Sequence, residues 1–223
     1  LGLGGEFGIG MTLVAEAWPA RLRARACSYV GLGWQAGVLV AALTTPLLLP
    51  LIGWRGVFLV GLIPGLVAFA VRWYVGEPKI FVERAQAKRV AFPVGLLVKD
   101  AATTKVSVGM FILCAVQNFG YYGLMIWLPS YLQTRFGYNP LQSALWISVT
   151  IAGMGLGIFV FGYFADLVGR RPAFLTFQAG AAIMVVVFSQ LTDPFALLIG
   201  GAVMGIFVNG MLGGYGALLS ELY

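Results

Sequence analysis

Side chains that could perform covalent chemistry or bind metals are scarce in this sequence. The 223 residues include no histidine, eight acidic residues and two cysteines, Cys27 and Cys114, in different segments. Without histidine, zincins, His-based catalytic triads and iron ligation by His are excluded, and two distant cysteines support neither a disulfide framework nor a metal site. Paired carboxylates, a nucleophile elbow and a phosphate-binding loop are also missing. We therefore expect no enzyme activity, no metal and no cofactor.

One stretch resembles a dinucleotide-binding fingerprint. The residues GLGWQA at 31–36 match G-x-G-x-x-A. They lie inside a long uncharged run, with no strand before them and no acidic residue placed to bind a ribose. We therefore interpret these glycines as helix-packing positions.

The most specific motif is the stretch GYFADLVGRRP, which lies between two long apolar segments. Gly162 permits close approach of helices, and Gly169 suits a tight turn. Asp166 can accept hydrogen bonds from the amide groups at a helix N-terminus. Arg170 and Arg171 offer forked donors to carboxylates. The alternative interpretation is a generic basic turn.

Composition and charge spacing identify the elements that carry these residues. The chain is 60% hydrophobic and 10% charged, whereas an ordinary soluble domain is about 25% charged. Most of the uncharged runs reach the length of about 20 residues that a membrane-spanning helix needs. We therefore expect an all-α, polytopic membrane helical bundle. Its seven predicted helices lie at about 1–18, 28–50, 54–75, 106–131, 141–166, 172–191 and 195–222.

Positive charges fall almost entirely on one face of this bundle. When alternate loops are assigned to opposite sides of the membrane, only Arg55 and Arg135 of the 14 Lys and Arg lie on one side, and all the others lie on the opposite side. Because positively charged loops remain in the cytoplasm, loops 19–27, 76–104 and 167–171 are predicted to be cytoplasmic. The predicted location is the cell membrane, most simply a bacterial inner membrane. The same asymmetry explains the net charge of +6 without a nucleic-acid partner.

Glu6 is the ionisable residue that this arrangement places deepest in the membrane. The helix reaches the cytoplasmic edge near Ala17, which at about 1.5 Å per residue puts Glu6 about 16 Å inside a hydrocarbon core about 30 Å thick. A charged carboxylate is costly there, so protonation is favoured and Glu6 could carry a proton. The alternatives are a permanent ion pair with an arginine of another helix and direct contact with a substrate.

The loop motif resembles the signature G-x-x-x-D-x-x-G-R-[RK] of the major facilitator superfamily. The segment EAWPARLR, beginning at Glu16, is similar to E-x-x-P-x-x-x-R at the end of the fourth helix in the sugar-porter-like and metabolite:proton symporter branches. The segment 119–132 is similar to the seventh helix of organic-acid transporters. A weak internal repeat, which lays Glu16 on Glu221, agrees with a duplicated six-helix unit.

This resemblance implies a fold of twelve helices in two halves, of which the chain would be a fragment covering helices 4 to 10. Residues 1–75 would end the first half, 76–104 would be the cytoplasmic loop between the halves, and 105–223 would begin the second half. The implied function is secondary active transport by alternating access, as proton-coupled symport of a small organic acid. A sugar or drug substrate stays open, and so does a different class, a channel or non-transporting scaffold.

The resemblance also implies the partners and the sites. The partners would be a small-molecule substrate, a proton and the lipid bilayer, and the full-length protein would be monomeric. Helices 1, 4, 7 and 10 line the central cavity in this family, which makes Glu6 a candidate for proton coupling or substrate contact. The further substrate-binding candidates are Gln117, Asn118, Tyr121, Asn209 and Tyr215.

The face of helix seven and the charges at the cytoplasmic edge complete these expectations. Gln117 or Asn118 falls with Tyr121 and Met125 on one helical face, where the polar groups could bind substrate or bond to neighbouring helices. The loop motif is expected to act as a gate. The charge partners expected at the cytoplasmic edge are Glu16, Arg23 and Glu221. Glu221 is expected close to Arg170 or Arg171, and Glu16 is expected to turn to Arg21 or Arg23 or to stay unpaired.

Overall fold

The computed structural model describes residues 2–74 and 93–222. Side chains are described except at residues 2–6, 9, 16, 72, 93–94 and 220–222. The helices are α1 (Gly2–Ala17), α2 (Arg23–Val60), α3 (Leu62–Tyr74), α4 (Ala101–Phe136), α5 (Pro140–Val168), α6 (Arg170–Gln190), α7 (Pro194–Gly210) and α8 (Tyr215–Leu222). Short 3-10 helices lie at Ala20–Leu22, Pro93–Val98 and Met211–Gly214. The described ranges contain no strand, so the all-α prediction is confirmed.

Five described helical stretches are long and apolar enough to cross a membrane. They are Ala20–Val71, Ala101–Phe136, Pro140–Val168, Arg170–Gln190 and Pro194–Leu219. The prediction of a polytopic membrane bundle is therefore confirmed, although seven separate spans were expected. The difference arises because α1 has only 16 residues and because no loop separates the second and third predicted helices. Between them, Gly53 alone leaves the helical geometry of α2, with φ 65° and ψ 174°.

Local chemistry sets several helix boundaries. Asn139 accepts from the backbone amide of Gln142 at 2.8 Å, while the Gln142 side chain accepts from the Asn139 amide at 3.0 Å. This capping box starts α5, with Pro140 as its first residue. Asp193 caps α7 by accepting from the Ala196 amide at 2.8 Å. Gly169, with φ 95°, separates α5 from α6, a backbone conformation that glycine adopts without steric cost.

The described chain divides into two compact units, Leu1–Pro46 with Gln117–Tyr223, and Leu47–Val116. In the second unit, Asp100 accepts from the Thr103 amide at 2.7 Å, which caps α4 and lowers the pKa of Asp100. The division into halves at 76–104 stays a prediction, and most of that segment lies outside the described residues.

Close helix packing organises the first unit. A Cβ added at Gly153 would collide with the Ala202 backbone, and one at Gly157 would collide with Ile206, so α5 and α7 approach backbone to backbone. Nearer the N-terminal end of α5, a buried apolar cluster joins it to α4 and to α2. Its members are Leu128, Leu132, Ile147 and Ile151, with Val38, Leu39 and Ala42 packed against them. The candidate residues of α2, α4, α5 and α7 are therefore held by contacts between helices.

Candidate functional site

Asp166 lies at the end of α5 and caps the beginning of α2. Its Oδ1 accepts from the Ala24 amide at 3.3 Å, and its Oδ2 accepts from the Arg25 amide at 3.1 Å. These amides belong to the first turn of α2, where no intrahelical acceptor is available and the helix dipole favours an anion. The carboxylate is only 1% exposed. Residues about 140 positions apart in the sequence are therefore joined through one buried charge.

Two arginines compensate this buried charge. Arg170 donates through Nη1 to Asp166 Oδ1 at 2.8 Å, and Arg25 Nε lies 3.4 Å from Asp166 Oδ2. Arg170 also donates to the carbonyl oxygen of Ala165 at 3.0 Å and to that of Ala20 at 2.9 Å. Its guanidinium thus connects the end of α5 to the turn that precedes α2, with the forked geometry that suits arginine.

Arg25 extends the contact along the outer side of the same helix pair. Its guanidinium lies 4.5 Å from the centre of the Tyr163 ring, and the Tyr163 hydroxyl is 3.1 Å from that of Tyr29. A guanidinium over an aromatic face is attracted by the ring quadrupole. Arg25 was not predicted from the sequence, because the E-x-x-P-x-x-x-R motif selects Arg23 and the spacing of the three nearby arginines does not indicate which of them reaches Asp166.

Small residues let α2 reach this position. A Cβ added at either Gly162 or Gly213 would collide with the Ser28 side chain. The first turns of α2 therefore lie between α5 and the Met211–Gly214 turn, and glycine at both sites permits the approach. We refer to Asp166, Arg170, Ala24 and Arg25 together as the Asp166 clamp.

The other expected charge contacts are only partly visible. Arg171 is exposed, and Arg23 Nε donates to the Trp18 carbonyl oxygen at 3.3 Å. The side chains of Glu6, Glu16 and Glu221 lie outside the described residues, so the expectations about them stay predictions.

A second polar group lies deeper in the bundle. Gln117 Nε2 donates to Asn209 Oδ1 at 3.1 Å, and the two residues are 6% and 1% exposed. Tyr121, one turn beyond Gln117, is also buried, and its hydroxyl lies 3.5 Å from Trp34 Nε1. Three of the five substrate-binding candidates, Gln117, Tyr121 and Asn209, are therefore in the interior at the junction of α2, α4 and α7.

The remaining two candidates lie elsewhere. Asn118 is exposed, because one residue along a helix rotates the side chain by about 100° away from the Gln117 face. Tyr215 is buried, but its ring packs 5.3 Å from Phe174 of α6, in an aromatic cluster. Asn118 therefore lies on a different face of α4 from Gln117 and Tyr121 in the described chain, and its part in substrate binding stays a prediction.

Comparison with known proteins gives a consistent picture. A family model described as Major Facilitator Superfamily matches residues 1–158. A Haemophilus influenzae protein named for metabolite transport is 58% identical over 100% of this chain and 56% of its own length. The cis,cis-muconate transport protein of Acinetobacter baylyi is 33% identical, with 92% of this chain and 52% of its own length covered.

A more distant relative carries another name. The niacin transporter of Acinetobacter baylyi is 25% identical over 98% of this chain and 55% of its own length. The chain thus spans about half the length of these relatives. No solved structure matches it.

Proposed function

Because this chain belongs to the Major Facilitator Superfamily, we propose that it is part of a secondary active transporter that carries a small organic acid together with a proton. The two most informative relatives are named for cis,cis-muconate and niacin, and both compounds carry carboxyl groups. This shared chemistry favours an organic acid over a sugar or a drug.

The observation that carries the proposal is the Asp166 clamp. In the family numbering that the resemblance implies, α2 is the fifth helix and α5 the eighth, so the clamp joins the two halves at the predicted cytoplasmic edge. Its contacts to α2 are two amide hydrogen bonds and one longer ion pair. Such contacts can form and break as the halves rock, which is what alternating access requires.

The buried amides of Gln117 and Asn209 could form the substrate site of a transporter. Gln117 and Asn209 lie among apolar helices, where a polar group is costly unless it bonds to another helix or to a ligand. Buried amides inside the bundle, together with the Asp166 clamp at the predicted cytoplasmic edge, correspond to a substrate site that a gate closes. We place substrate binding at Gln117, Tyr121 and Asn209, and proton coupling at Glu6.

The test is uptake into proteoliposomes that contain the purified full-length protein. Radiolabelled cis,cis-muconate and nicotinate are offered with the vesicle interior alkaline, with no gradient, and with a protonophore. Proton symport predicts saturable accumulation that the alkaline interior drives and the protonophore abolishes. Saturable uptake that is the same with and without the pH gradient would rule out proton coupling, and uptake that does not saturate would favour a channel.

The same vesicles test the alternatives of substrate class. Radiolabelled sugars and cationic drugs are offered to the same vesicles, and saturable uptake of one of them without uptake of either acid would replace the acid by that class. Absence of uptake for every class would favour a non-transporting scaffold.

A further inference from the structure

Gln35, in the first half of α2, carries a buried amide that no described residue bonds. The residue is 3% exposed, and neither Nε2 nor Oε1 has a hydrogen-bond partner among the described residues. Burying an amide without hydrogen bonds costs free energy that folding does not recover. A side chain such as leucine would fill this position without that cost.

The contacts of α2 show where Gln35 lies. Cys27 and Ser28 approach Gly216 and Gly213, and a Cβ on Gly31 would lie 3.9 Å from the Gly213 Cα. As residue numbers rise along α2, the numbers of the residues they contact fall from Gly216 to Gly213. The two segments therefore run antiparallel. One helical turn beyond the contact of Gly31 with Gly213, the chain reaches Gln35 on α2 and Asn209 on α7.

Asn209 has an unused donor at the same level. Its Oδ1 accepts from Gln117, but its Nδ2 has no hydrogen-bond partner among the described residues, and the residue is 1% exposed. Gln35, Gln117 and Asn209 thus bring three amides from three helices to one level of the bundle. We call these three residues the amide layer.

The amide layer lies near the middle of the membrane. Gln35 is twelve residues from Arg23 at the start of α2, and Gln117 is twelve residues from Lys105. At about 1.5 Å per residue both lie about 18 Å from the predicted cytoplasmic edge of a core about 30 Å thick. The layer is therefore at the depth where a transporter holds its substrate.

We propose that Gln35 and Asn209 bind the carboxyl group of the transported acid, with Gln35 Nε2 and Asn209 Nδ2 donating to its two oxygens. This inference rests on the proposed function and adds α2 to the binding site. A carboxylate only accepts hydrogen bonds, which matches two unpaired N–H donors. The Oε1 atom of Gln35 can accept from the acid when it is protonated, so one side chain serves both protonation states.

The test measures binding and stability in the full-length protein. Gln35→Leu is compared with Gln133→Leu, which removes an exposed amide of α4. Calorimetry gives the Kd for nicotinate and for cis,cis-muconate, and thermal unfolding gives the Tm. We expect Gln35→Leu to raise the Kd at least about tenfold, the effect of losing a hydrogen bond to a charged group, with Tm equal to wild type or higher. Gln133→Leu should leave both values unchanged.

The Tm separates binding from a structural role. A structural hydrogen bond predicts a lower Tm for Gln35→Leu, whereas removal of an unpaired buried amide does not. A lower Tm with wild-type Kd in the folded protein would overturn the inference. So would an unchanged Kd at unchanged Tm, and the proposed function would then stand if wild type still binds acid.

A second variant keeps the size and polarity of the side chain. Gln35→Glu introduces a carboxyl group that either repels the substrate carboxylate or must take up a proton before nicotinate binds, so it should weaken nicotinate binding more than binding of nicotinamide, its neutral amide, and the difference should grow as the pH rises. Equal effects on both ligands would overturn the carboxyl assignment. If wild type neither binds nor accumulates either acid, the proposed substrate class fails, and the inference fails with it.

Discussion

Replacing Asp166 by alanine should open the predicted cytoplasmic end of the protein. The substitution removes the acceptor for the Ala24 and Arg25 amides and the ion pair with Arg25, the contacts that join α5 to α2. The Asp166–Arg170 ion pair lies within the corner between α5 and α6, so opening does not require its loss. The hydrogen bond from Arg170 to the Ala20 carbonyl oxygen also crosses the gate, and the substitution does not remove it.

The magnitude follows from these contacts. A hydrogen bond to a charged group contributes about 1.5–3 kcal/mol. This figure is already net of hydration, and two such bonds at its lower limit contribute about 3 kcal/mol to the closed state. Each 1.4 kcal/mol changes a population ratio tenfold, so Asp166→Ala should raise the ratio of open to closed protein by roughly 150-fold.

A native cysteine reports this change. Cys27 is fully buried in the described structure, against Gly216 and Met11, one turn from the Asp166 clamp. In full-length protein with every other cysteine replaced, Asp166→Ala should accelerate modification of Cys27 by N-ethylmaleimide. Transport turnover should fall, while membrane abundance stays equal to wild type because the helices still insert.

Asp193→Ala is the matched control. Asp193 also caps a helix, but it binds only the start of its own helix and is exposed. Its loss should cost about 1 kcal/mol of stability and leave Cys27 modification unchanged. Unchanged Cys27 modification and unchanged turnover in Asp166→Ala, at equal abundance, would refute the gating role of the clamp.

Three further predictions concern the gate, the binding face and the proton. Gly213→Ala should reduce turnover and expose Cys27, because the added Cβ collides with Ser28. Gly33→Ala is the control, because a Cβ there meets nothing within 4 Å. Equal turnover in the two variants would contradict this packing. Cysteines introduced by Gln117→Cys and Tyr121→Cys should be protected by nicotinate from aqueous thiol reagents, and the one introduced by Phe119→Cys, at a residue 84% exposed, should not. Glu6→Gln should abolish pH-driven accumulation but keep substrate exchange, since glutamine mimics the protonated acid; normal accumulation would eliminate Glu6 as the proton carrier.

Helix positions were predictable from the sequence because their causes are local. The predicted spans 106–131, 141–166 and 172–191 lie within α4, α5 and α6 or one residue beyond. Charged residues are costly in lipid, so most of them lie near the ends of spans; Arg55, inside α2, and Glu6, inside α1, are exceptions. The last predicted span, 195–222, contains the Met211–Gly214 turn, which the uncharged sequence did not reveal.

The sequence also determined which residues could make a polar contact at the predicted cytoplasmic edge. An acidic residue before a glycine turn and two arginines is suited to bind a helix end, whichever helix that is. Only the tertiary structure selected the amides of Ala24 and Arg25, because the choice depends on how glycines at 162 and 213 let α2 approach.

The depth of a polar residue can be counted along a helix, but its partners cannot. Gln35 lies in an uncharged run that the sequence analysis interpreted as helix packing, and Gln117 and Asn118 both satisfied the helical spacing. Burial depends on which face each helix turns toward its neighbours, a property of the packed bundle. Tertiary packing therefore buried Gln117 against Asn209, exposed Asn118, and enclosed Gln35 without a partner among the described residues.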